Sequence, residues 1–181
     1  MATPTTLPAS FTAGQVLTAA QMNDLRGAFR VLQVVSVAKT DTFTTTSATF
    51  VDVTGLTVSI TPSSATSKIL VLASVSGNGQ IGVAALQGIL VRGATPIAVG
   101  DAAGSRTQTS FGNIENGGSN QDVSPIMFLD SPATTSSTTY KIQVRSTTAA
   151  QTVVINRSFS DANAASLSRG ISTITVMEIS A

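Results

Sequence analysis

The sequence predicts a mainly β protein, an antiparallel sandwich preceded by an extended N-terminal arm and one short helix. Three observations lead there. Helical spacing stops near residue 30, and from Val31 onward apolar residues recur with period two. Hydrophobic residues make up 42% of the chain, but aromatics only 4% with no Trp, so Val, Ile, Leu and Ala must build the core, which suits thin sheets packed face to face. Turn chemistry punctuates the β region at Thr61-Pro62-Ser63-Ser64, Gly77-Asn78-Gly79, Arg92-Gly93, Ser131-Pro132 and Arg169-Gly170. With 181 residues the chain has room for one domain with a real core, giving an anchor over 1–30 and a sandwich over 31–181.

The elements follow in order. Pro4, Pro8 and Gly14 keep residues 1–16 from holding a helix, so they form an extended arm. Thr18 and Gln21 form a capping box, and Met22, Leu25 and Phe29 recur on one side, predicting a helix over 19–29. A helix of about three turns is marginal alone in water, so its apolar stripe must dock, either on its own domain or on a neighbouring subunit or larger assembly. Strands are predicted at 31–38, 50–61, 68–76, 81–92, 95–100, 125–130, 139–146, 151–156 and 171–179. The alternation is cleanest where Tyr140, Ile142 and Val144 face one way and Lys141, Gln143 and Arg145 the other. Two irregular stretches remain. Residues 101–124 are too long for an ordinary connection and form the candidate recognition loop, with Arg106, Phe111, Asn113, Glu115, Asn116, Asn120 and Asp122 as its contact residues. Residues 158–170, with Phe159, Asp161, Asn163, Leu167 and Arg169, are expected to cover part of the core or an interface. No repeat period supports a propeller or a fibrous shaft.

Composition narrows the function. Charged residues are 10% of the chain, well below the usual quarter, so the surface is neutral and rich in hydroxyls and amides; such a β protein tends to self-associate unless its faces are buried in an oligomer. The net charge is +1 and the cations are scattered singly, which argues against nucleic-acid binding. Residues 69–91 are uncharged over a membrane-spanning length, but Ser76-Gly77-Asn78-Gly79-Gln80 interrupts them, so a hairpin is expected rather than membrane insertion. The opening MATPTTLPASF lacks the basic and apolar regions of a secretory signal.

The chain has neither His nor Cys, so a Ser-His-Asp triad, a thiol nucleophile and imidazole or thiolate metal sites are excluded, and Ser110 and Ser158 have no evident base. Carboxylates alone can hydrolyse glycosides, but the nine acids are not clustered. Glu115 and Asp122 flank a Gly/Asn-rich segment that could hold calcium or a sugar, though without EF-hand spacing a solvated loop is preferred. Gly100-Asp101-Ala102-Ala103-Gly104 has no following Lys and is read as a turn rather than a phosphate loop. Asn156-Arg157-Ser158 matches a glycosylation sequon that chance explains. No enzyme activity, cofactor or metal is expected.

The segment from Phe11 to Asn23, FTAGQVLTAAQMN, resembles an N-terminal signature of bacteriophage virion proteins that attach to the particle through that end. The β region, with Ser67-Lys68-Ile69-Leu70-Val71, Tyr140-Lys141-Ile142-Gln143-Val144 and Ile174-Thr175-Val176-Met177-Glu178-Ile179, resembles phage domains with a jelly roll of the tumour-necrosis-factor or C1q type. The resemblance implies a homotrimer, made in the host cytoplasm and carried on the virion, whose arms meet phage capsid or tail proteins through Phe11, Val16, Leu17, Met22, Leu25 and Phe29. It also implies that the last strand lies near the domain core or the trimer axis. The function expected is a capsid decoration or cement protein; the alternative is a short head or tail fibre adhesin that recognises a host surface glycan through the 101–124 loop. Between anchor and β domain there is no heptad run, so a squat knob fits better than a long fibre.

Overall fold

The strands pair in a nested pattern. The computed structural model describes residues 14, 16, 18, 19, 22, 31–115 and 118–180. Its strands are β1 (Val31–Lys39), β2 (Phe43–Thr45), β3 (Val51–Ile60), β4 (Lys68–Gly79), β5 (Leu86–Arg92), β6 (Thr95–Ile97), β7 (Phe111–Ile114), β8 (Asp122–Asp130), β9 (Thr138–Ser146), β10 (Val153–Ile155) and β11 (Ser172–Ile179). β1 pairs with β11, β3 with β9, β4 with β8 and β5 with β7, all antiparallel. Outermost pairs with outermost and inner with inner, as when one long double ribbon is rolled up, and this is the jelly roll.

The pairs distribute over two sheets. In the six-stranded sheet, β4 carries β8 on one edge and β11 followed by β10 on the other; β1 and β2 continue outward from β11 and β10. In the five-stranded sheet the order runs β3, β9, β5, with β6 and β7 end to end on the far edge of β5. Between the sheets lies a core of aliphatic side chains, among them Val53, Leu56, Ile69, Val71, Leu86, Leu90, Ile142, Ile174 and Val176. Each contributes about 1.5–3 kcal/mol by leaving water. Tyr140, the single Tyr of the chain, is fully buried there, and its hydroxyl donates to Asp130 Oδ2 at 2.7 Å.

Several boundaries differ from those the sequence predicts. Gly77-Asn78-Gly79 is not a turn but the end of β4, because the absence of a side chain lets Leu86, Ile155 and the Ala84 carbonyl approach; a Cβ on Gly77 would lie 2.6 Å from Leu86 Cδ2. The reversal falls instead at residues 80–84, and it is not a hairpin: β4 and β5 lie in different sheets, so the connection arches from one to the other. β7 runs inside the stretch expected to be irregular, and β8 begins at Asp122 rather than Pro125. β3 carries a register shift between Asp52 and Thr57 around Gly55, whose φ of +84° suits glycine. The shift resets the alternation, which is why Val53 and Leu56 both reach the core although they are three residues apart.

Of the anchor residues, Phe11, Leu17, Leu25 and Phe29 lie outside the described residues, as does most of the expected 19–29 helix. Val16 and Met22 are described and exposed, and the Met22 amide donates to the Thr18 carbonyl at 3.0 Å.

Candidate functional site

The outer face of the six-stranded sheet is apolar where a lone sandwich would carry polar groups. Cross-strand register places Val34, Met177, Leu70 and Leu129 in one row across β1, β11, β4 and β8. The next row on this face holds Ser36, Thr175, Leu72 and Met127. Val34 is 53% exposed, Leu129 54% and Met127 77%. Neither row contains a charge, and the Ser36 and Thr175 hydroxyls satisfy each other at 2.8 Å. Contiguous exposed apolar surface on a sheet face marks an interaction site. Its signal was present in the sequence as the run Ile69-Leu70-Val71-Leu72, apolar at both parities, which is the pattern of a strand covered on both faces.

The residues expected to form one recognition loop are dispersed. β7 divides the stretch, leaving an excursion at 98–110 on the edge of the five-stranded sheet and a connection at 115–121. Phe111 is a core residue rather than a contact residue: it packs over Gly88, where any Cβ would collide with its ring. Asp122 sits in β8 opposite Gly77, and Asn120 offers its carbonyl to Asn78 Nδ2 at 2.8 Å. Glu115 is exposed. Asn116 and the side chain of Asn113 lie outside the described residues. Arg106 stands in the excursion, beside a polar cleft of about 420 Å³ lined by Gln87, Arg106, Thr107, Thr109 and Gly112.

Residues 158–170 fold back against 118–121: the Ser160 amide donates to the Gly118 carbonyl at 2.7 Å, and Ser168 Oγ donates to Gln121 Oε1 at 3.3 Å. Arg169 pairs with Asp161 at 2.7 Å. At the base of this segment Asn156 is fully buried at φ +62°. Its amide donates to the carbonyls of Lys39 and Asp41 at 2.7 and 2.9 Å, and its oxygen accepts from Ser172 Oγ at 2.6 Å. The sequon asparagine is therefore a structural pin between β1, β10 and β11, with no amide hydrogen left for a glycan.

Several buried or partly buried ionisable groups are likewise used for architecture. Asp130 is buried and receives Arg92 Nη1 at 2.8 and 2.9 Å together with the Tyr140 hydroxyl. Burial and this bond to Asp130 push the Tyr140 pKa well above the usual phenol range. Glu178, fully buried at the end of β11, accepts from Gln33 Nε2 at 2.6 Å and from the Ser63 amide and hydroxyl at 2.7 and 2.6 Å. Burial alone would raise its pKa, but bonds from Ser63, Gln33 and Ser67 outweigh it and bring the carboxyl down to about 2. Lys141 and Gln143 together hold Asp52 below the usual carboxylate range. Ser110 Oγ accepts the Leu90 amide at 2.9 Å, tying the excursion to β5, and Ser158 Oγ accepts the Ser168 amide at 3.1 Å, closing residues 158–170 on themselves. Among the described residues no group of three acids gathers to hold a metal ion, and no helix is long and apolar enough to cross a membrane. No protein-family model matches the chain, and no curated protein matches its sequence.

Proposed function

We propose that this protein is a non-enzymatic structural subunit that self-associates through the outer face of its six-stranded sheet, as a homotrimer, and serves a bacteriophage particle as a capsid decoration or cement protein held by its N-terminal arm. The observation that carries the self-association is the uncharged double row from Val34 to Leu129 and from Ser36 to Met127. Leaving Leu70, Leu72, Met127, Leu129 and Met177 against water forfeits about 25 cal/mol per Å² of apolar area, a loss that packing against a second and third copy removes. A chain with 10% charged residues has few like charges to oppose that contact.

The particle assignment rests on the resemblance of Phe11 to Asn23 to virion-attachment segments. The arm enters at Val31, on the strand that forms one end of both apolar rows, so three arms around an axis engage a shell together, each raising the effective concentration of the others. Multi-angle light scattering tests the self-association: a trimer is expected, and a monomer at about 100 μM, well above typical subunit affinities, overturns it. Copy number in purified particles tests the rest. Hundreds of chains per particle are expected of a decoration protein; a few dozen or fewer point to a fibre or tail component.

A further inference from the structure

The excursion at 98–110 forms a ledge beside β5. Its neck is closed by the Gly100 amide on the Thr109 carbonyl at 3.3 Å, and the Gln108 side chain donates to the Gly100 carbonyl at 2.7 Å. The Ser110 amide donates to the Gly88 carbonyl at 2.9 Å, fixing the ledge to the sheet. Between ledge and sheet lies the cleft of about 420 Å³ lined by Gln87, Arg106, Thr107, Thr109 and Gly112. Every side chain there is polar, with hydroxyl, amide and guanidinium groups, and none is aromatic or aliphatic.

The cleft carries a cation that no neighbouring carboxylate among the described residues neutralises. Arg106 makes only a long contact to the Ala103 carbonyl at 3.4 Å, and among the described residues no carboxylate pairs with it. Gln87 in the cleft wall is the direct cross-strand partner of Arg145, which stacks over Phe50 at 5.9 Å and also pairs with no carboxylate among the described residues. The buried Arg145 Nε has no hydrogen-bond partner there. Arg92, Arg157 and Arg169, by contrast, each have an aspartate within 4.0 Å. The floor is open because residue 112 is glycine: a Cβ there would stand 3.2 Å from Gln87 Cγ and 3.4 Å from Thr109 Oγ1.

We infer that the cleft binds a carboxylated sugar unit of an acidic polysaccharide, with Arg106 as the carboxylate donor and Gln87, Thr107 and Thr109 reading ring hydroxyls. A guanidinium presents parallel N–H donors that match a carboxylate, and hydroxyl and amide side chains supply both donors and acceptors for sugar hydroxyls. A peptide or nucleotide base would ask for an apolar or aromatic wall, which the cleft lacks. A bare phosphate would leave most of the volume unfilled. The site draws on four residues of the stretch expected to recognise a glycan and adds Gln87 from β5. It is separate from the apolar sheet face, so its success or failure leaves the self-association reading standing.

The test is titration of the intact ¹⁵N-labelled protein with trisaccharides of galacturonate, glucuronate and mannuronate, with maltotriose and inorganic phosphate as controls. Expected are shifts at Thr107, Thr109 and Gly112 with at least one uronate, an affinity reduced about tenfold or more by Arg106→Gln, and loss of binding in Gly112→Val, whose side chain fills the floor. Arg169→Gln, in the other loop, should bind as the wild type does, and thermal melts of each variant confirm folding. Binding by none of the uronates, equal binding of maltotriose or phosphate, or full affinity in folded Arg106→Gln would overturn the inference.

Discussion

Glu178 illustrates how much one side chain decides here. Its carboxylate gathers Gln33 from β1 and Ser63 from the connection between β3 and β4, and Gln33 also donates to the Thr61 carbonyl at 2.7 Å. Since its pKa falls from 4.5 to about 2 on folding, the stabilisation is complete above 4.5 and disappears as the pH drops toward 2. Glu178→Gln should lower stability at neutral pH by about 2–3 kcal/mol in urea unfolding, since donors gathered for a charge lose it. It should also flatten the decline of melting temperature between pH 5 and 2 relative to the wild type; an unchanged slope would assign the acid sensitivity elsewhere. Gly88 makes a second point. Gly88→Ala forces the Phe111 ring aside and should cost about 1–3 kcal/mol. Adding Phe111→Leu should recover part of that loss, and failure to do so would mean the backbone rather than the ring resists the methyl.

Among the elements, β4 and β8 set the character of the molecule. β4 buries Ile69, Val71 and Val75 on one side and presents Leu70 and Leu72 on the other; β8 buries Ile126 and presents Met127 and Leu129. The pairing sets Leu70 beside Leu129 and Leu72 beside Met127, so two strands supply most of the apolar outer surface. The double variant Met127→Lys, Leu129→Lys touches no core side chain. It should shift the particle mass by light scattering to that of one chain while leaving the far-ultraviolet β signal intact. A folded variant that keeps the wild-type mass would place the self-association on another face. β8 is also an edge strand, and Pro125 within it removes one backbone donor, which limits open-ended pairing along that edge.

For the whole molecule, the nested pairing brings the chain's entry at Val31 and its last strand residue Ile179 together in one ladder. The start of β1 and the end of β11 thus lie at one end of the sandwich, while 118–121 and 158–170 pack together at the other, by β10 and the Gly77–Gly79 end of β4. In the proposed particle-bound trimer this polarity would point one end at the shell and the other outward. Leu25→Asp should release the protein from particles, read by sedimentation of particles with bound protein, while the β domain melts at the wild-type temperature. Loss of folding would assign Leu25 to the domain itself.

Period-two alternation, a core without Trp and well-spaced turns were enough to specify a sandwich, because side chains on a strand reach alternate faces whatever their partners. Tyr140, Ile142 and Val144 were legible as core for that reason. The same local logic gave no warning of β2 or of β7, whose three and four residues are held by neighbours rather than by their own pattern. It also took Gly77-Asn78-Gly79 for a turn, since glycine signals both a reversal and a close approach and only the packing of Leu86 and Ile155 tells them apart. Which of two apolar parities faces inward, which loop residues meet across a cleft, and which arginines lack a carboxylate depend on pairings between distant segments, and those were decided only when the two sheets closed on each other.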